Sequence, residues 1–275
     1  RYNMDNNEFF QSFVTDEPFL VNAIGNGEIS LVSMLIKDGA NVNAKDDNGE
    51  TALMRASRYG YIEIVTLLLD EGANVNAKDD NGMTAIMWAS VSGHTDIMKI
   101  LVENGADVNA GDEDGVTALI RVSWDSYPWI VSLLMEMGAD VNAKDHEGTT
   151  ALIAASYAGD REIVSTLVEL GADINAKDND GWTALMTATN KGHIGILAML
   201  VRKGAEVTAE QLETLDLVGT HVEQPKIMKF LREIIDNRKN INMTPLVVMK
   251  GRKENNEPLI QTTHQETIDN ITSFF

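Results

Sequence analysis

Glycine returns every 33 residues, at Gly39, Gly72, Gly105, Gly138, Gly171 and Gly204, and alanine follows each one. A fixed period of this length marks a chain built from stacked copies of one small unit. A second series, Gly27, Gly60, Gly93, Gly159 and Gly192, keeps the spacing and is broken by Ser126. Asparagine recurs at Asn43, Asn76, Asn109, Asn142 and Asn175, with Thr208 in the sixth copy. Between these markers come near-identical segments: TALM from Thr51, TAIM from Thr84, TALI from Thr117 and Thr150, and TALM from Thr183.

The physical content of one unit is clear in residues 46–78. Thr51 is a favourable N-cap, and Leu53, Ala56 and Ser57 follow at helical spacing. Gly60 suits the left-handed position that ends a helix. A second apolar face, Ile64, Val65, Leu67 and Leu68, ends at Gly72. The polar stretch from Asn74 to Gly82 is rich in turn formers. The unit therefore reads as helix, tight turn, helix, projecting turn. It is too small to bury its own apolar face, so copies must cover one another, with Ala56, Ala89, Ala155 and Ala188 permitting close approach.

The pattern Asp-x-x-Gly-x-Thr-Ala-Leu, then glycine, Ile-Val-x-x-Leu-Leu and Gly-Ala-Asp-Val-Asn-Ala-Lys resembles the ankyrin repeat. The resemblance covers six copies over residues 17–209. It implies an all-α solenoid of helix-turn-helix units with projecting β-turns or hairpins, closed by helical caps at both ends. One departure is general: the family's Thr-Pro-Leu-His is replaced here by Thr-Ala-Leu-Met or Thr-Ala-Leu-Ile. The usual histidine hydrogen bond is then absent, and apolar packing is expected in its place.

Residues 1–16, with Phe9, Phe10 and Phe13, are expected to form an N-terminal cap, with Asp16 capping the helix that follows Pro18. Residues 210–238 read as a degenerate capping repeat. Thr208-Ala-Glu-Gln211 has a capping-box pattern, and Ile227, Phe230, Leu231, Ile234 and Ile235 follow helical spacing. The tail, 239–275, reads equally as folded back, partner-bound or disordered. The fourth repeat has Trp124-Asp-Ser-Tyr-Pro-Trp129 in place of a glycine turn. Pro128 fits the first position of a helix, whereas losing the glycine should strain or reshape the turn. Such rule-breaking marks a functional site or drift in one surface turn, and the residues leave both open.

Chemistry has few places to reside. The chain lacks cysteine, and His94, His146, His193, His221 and His264 have no ligand spacing. HExxH, GxSxG and phosphate-loop patterns are missing. No catalytic residue, metal site or cofactor is therefore expected. The repeated Asp46, Asp79, Asp112, Asp145 and Asp178 read as turn formers, and the family resemblance gives His94 and His193 structural roles. No apolar run is long enough to cross a membrane, and residues 1–10 lack signal-peptide character. The net charge of −20 repels phosphate backbones and favours a soluble monomer and, if it steers anything, a basic partner. A cytoplasmic location is expected, with a secreted effector as the alternative.

The resemblance implies that a protein partner contacts the turn tips and the exposed side of the first helices over repeats two to five. By register the candidate contacts include Arg55, Arg58, Tyr59, Trp88, Arg121, Trp124, Asp125, Tyr157 and Trp182. Aromatics and arginine are the types enriched in binding hot spots. Three of the four tryptophans fall here, and the three arginines suggest a local reversal of potential. Trp88 has a second reading, packing between helices with a partner for its N–H. The expected function is a non-enzymatic protein-binding module: scaffold, inhibitor or immunity/effector type. The alternatives are an acidic decoy that imitates nucleic acid to capture a basic protein, or an enzyme active in its C-terminal part.

Overall fold

The computed structural model describes residues 19–25, 27–218, 227–229 and 231–236. The expected N-terminal cap, the Asp16 cap, Phe230 and the tail lie outside them. The fold is an all-α solenoid of stacked helix pairs. It divides between Ala151 and Leu152 into two compact units.

The described part of the first unit holds four helix pairs: α1 (Phe19–Ile24) and α2 (Ile29–Lys37), α3 (Ala52–Tyr59) and α4 (Ile62–Asp70), α5 (Ala85–Val91) and α6 (Thr95–Glu103), α7 (Ala118–Trp124) and α8 (Pro128–Glu136). The first helices α1, α3, α5 and α7 pack in sequence, as do α2, α4 and α6. In the second unit α9 (Ala151–Ala158) precedes α10 (Arg161–Glu169), followed by α11 (Ala184–Lys191), α12 (Ile194–Arg202) and α13 (Ala209–Val218). There α11 packs on α12 and α13, and α10 packs on α12.

Each helix begins where the residues dictate. The hydroxyls of Thr51, Thr117 and Thr183 each accept the amide of the residue three positions on, at 3.3 Å. The missing family histidine has a partial substitute. Met54 Sδ accepts the Thr51 amide at 3.4 Å, and Met87 Sδ accepts that of Thr84 at 3.5 Å. Apolar packing thus comes with a weak sulfur acceptor in the methionine repeats. The Thr208–Gln211 box closes in both directions, at 2.9 and 3.2 Å.

Neighbouring repeats are joined by polar ladders as well as by apolar burial. Asn43 Oδ1 accepts the Asn74 amide at 2.7 Å while its Nδ2 donates to the Gly72 carbonyl at 3.3 Å. Asn76 and Asn109 repeat both contacts one unit on. These bonds satisfy backbone groups left over at the end of each second helix. Asparagine at that spacing is therefore structural. The projecting turns reduce to single antiparallel bridges, Lys45 with Thr51, Gly111 with Thr117, Lys144 with Thr150 and Lys177 with Thr183.

The short turns between helices show why glycine recurs. Gly60 has φ 81°, and a Cβ there would lie 2.6 Å from the His94 ring. His94 Nε2 in turn bonds the Arg58 carbonyl at 3.1 Å, and His193 does the same to Tyr157 at 3.2 Å. Both histidines thus cap the end of a preceding helix. Where glycine is lost, Ser126 takes φ 61°, the sole non-glycine residue with positive φ among those described. The backbone keeps its left-handed turn, and the side chain carries the strain.

Candidate protein-binding surface

Each projecting turn is organised by its leading aspartate. Asp46 Oδ1 accepts the amides of Asn48 and Glu50, both at 2.9 Å. Asp79, Asp112, Asp145 and Asp178 make the same two contacts in their own repeats. In Asp46, Asp79 and Asp112 the second oxygen reaches a side chain nine residues on. Asp46 Oδ2 accepts Arg55 Nη2 at 2.6 Å, Asp79 Oδ2 accepts Trp88 Nε1 at 3.2 Å, and Asp112 Oδ2 accepts Arg121 Nη2. The equivalent positions in the second unit are Ala154 and Thr187.

This relation settles what several candidate contacts do. Arg55 is tied to Asp46 and to Glu50, each at 2.6 Å, with 17% of its side chain exposed. It also donates to the Val21 carbonyl at 3.2 Å and so staples the first repeat to the second. Arg121 is paired with a carboxylate of its own turn. Arg58 is exposed and lies over the Trp88 ring, 4.5 Å from its centroid. All three cations are therefore engaged within the chain, and the nearby carboxylates keep the surface acidic.

Trp88 is half-buried, with its N–H bonded and one face under Arg58. Its remaining surface opens into a groove of about 500 Å³ between the third and fourth repeats. Met83, Trp88 and Val91 supply the apolar lining, and the exposed carboxylates of Glu113, Asp114 and Asp125 stand at the edge. Trp124 and Tyr59 are exposed in the same unit, at 37% and 49%.

In the second unit Tyr157 is exposed, with Lys191 Nζ 3.7 Å from its ring centroid. Lys191, by hydrogen bonding and then by its charge, holds the phenol below its ordinary value of 10.0. Trp182 is half-buried, and its backbone amide is held by Asp178 at 2.7 Å. The nine candidates thus divide, seven in the first unit and two in the second.

One exposed residue, singled out in the sequence only as the end of the irregular fourth turn, is not among the nine candidate contacts. Trp129, on α8, is 56% exposed and stacks edge-on against Tyr127, with centroids 5.4 Å apart. The signal was available in the register, because Glu63, Asp96 and Glu162 hold the equivalent positions. Among the described residues no group of three or more His, Asp or Glu is placed to hold a metal ion. No described helix is long and apolar enough to cross a membrane.

Stacked helical hairpins with turn tips tied by aspartate define a repeat scaffold. The family model described as ankyrin repeats, three copies, matches residues 3–79, 71–145 and 130–211. The chain belongs to the ankyrin-repeat family, whose members are typically non-catalytic scaffolds that bind other proteins. A search of curated proteins found no match to the chain.

Proposed function

We propose that the groove between the third and fourth repeats binds a basic segment of a protein partner. The observation that carries this reading is the pairing of apolar Met83, Trp88 and Val91 with exposed Glu113, Asp114 and Asp125 around one depression. A lysine or arginine of the partner matches both halves: its methylene stem covers apolar surface while its head reaches carboxylates. Trp88 is already fixed by Asp79 and Arg58, so little side-chain freedom is lost on binding.

The test is capture from lysate followed by affinity measurement on the purified partner, comparing the native chain with an Asp114→Lys, Asp125→Lys variant. Both side chains are exposed, so the fold should survive the change. Reversing two charges at the edge should weaken binding by about ten-fold or more. Unaltered affinity rejects the groove.

The decoy reading draws support from the exposed Asp47, Asp80, Glu113, Asp114 and Glu147 on successive turn tips. The two readings differ in salt dependence. A decoy loses affinity steeply between about 50 and 200 mM salt, whereas a partly apolar groove loses much less.

A further inference from the structure

We propose that the corner formed by Tyr127 and Trp129 in the fourth repeat is a second docking point, which receives a basic side chain of a protein partner. Position 129 departs from its counterparts within the repeat. Position 129 is the second residue of α8, at a helix end where the partial positive charge of the backbone favours an acid. Three of its five counterparts, Glu63, Asp96 and Glu162, follow that rule, and the other two are Ser30 and Gly195. Trp129 abandons it and is the most exposed of the large apolar side chains described.

The geometry suits a cation. The rings of Tyr127 and Trp129 stand at 65° to each other, so a wall and a floor meet at one corner. A guanidinium or ammonium group seated there meets the negative face of a ring. Three other rings are covered by the chain's own cations. Arg58 lies over Trp88 and Tyr59, and Lys191 lies over Tyr157. Among the described residues no cation sits over Tyr127 or Trp129.

Charge complementarity identifies the occupant. Asp125 is exposed and lies two residues before Tyr127 in the chain, which carries a net −20. Ser126, at φ 61°, sits between Asp125 and Tyr127. A strained turn is thus retained at the position that presents two aromatics and an acid, as at sites where strain serves function. Tyr127 and Trp129 lie outside the groove lining, and Asp125 belongs to both places.

The experiment titrates the full chain with an octa-arginine peptide and follows the four tryptophan indole N–H resonances by NMR. Saturable movement of the Trp129 indole is expected. Trp129→Glu installs the acid found in three of the other repeats, and its melting curve reports whether the fold is kept. It should weaken binding about five-fold or more, even though it adds a negative charge. Attraction by charge alone gives the opposite result, and equal or tighter binding by Trp129→Glu overturns the proposal. A response at Trp88 with none at Trp129 also overturns it and leaves the groove standing. A response at Trp129 alone, together with weaker binding of the peptide to Trp129→Glu by calorimetry, upholds the corner and counts against the groove.

Discussion

Asp79 grips its own turn through one carboxylate oxygen and the indole N–H of Trp88, nine residues on, through the other at 3.2 Å. The same carboxylate therefore shapes the turn tip and orients the aromatic that lines the groove. A second clamp comes from the preceding repeat, where Arg58 covers one ring face at 4.5 Å.

Trp88→Phe keeps an aromatic ring but removes the donor to a buried carboxylate oxygen. Leaving that oxygen unpaired should cost about 1–2 kcal/mol. Urea unfolding measures the loss, and an unaltered midpoint would show that water replaces the indole.

Arg55 is the partner of two carboxylates at once. Arg55→Met strands both and should destabilise the chain by about 3 kcal/mol. Adding Glu50→Gln removes one stranded charge and should recover part of the loss. A double-mutant cycle reads the coupling, and strict additivity would argue against the network.

Gly60 and Gly72 share positive φ, at 81° and 84°, but differ in surroundings. A Cβ at Gly72 meets nothing within 4 Å, whereas one at Gly60 meets His94 at 2.6 Å. Gly72→Ala should therefore cost about 1 kcal/mol for the dihedral alone, and Gly60→Ala at least about 2 kcal/mol. Equal losses in thermal unfolding would show that His94 moves aside freely.

Ser126 occupies the left-handed region without being glycine. Ser126→Gly releases that strain, less the extra chain entropy of glycine, and should stabilise by about 0.5–1 kcal/mol. The melting temperature should rise by a few degrees, and a fall would place the value of Ser126 in a contact of its side chain.

Tyr157 should ionise below the ordinary phenol value because Lys191 favours the phenolate. Its folded pKa is depressed, so any linked stability is present above the unfolded pKa and disappears as pH falls through the folded one. Lys191→Met should return the phenol titration, followed by ultraviolet absorbance, towards 10.0.

The amino-acid sequence alone determined the periodic parts of this protein. Gly60, Thr51 and the Thr208–Gln211 box act through neighbours a few residues away, so spacing identified the turns and caps. The repeat family was equally legible. Tertiary structure decided which groups hold the candidate side chains, because that depends on how each projecting turn folds back on its own first helix. Residue type alone makes Arg55, Arg121 and Trp88 resemble free hot spots, yet each is held by an aspartate nine residues earlier. Trp129 shows the converse. Its exposure and its contact with Tyr127 depend on how the fourth turn is folded, and a left-handed Ser126 sets that turn against the local preference of its residue type.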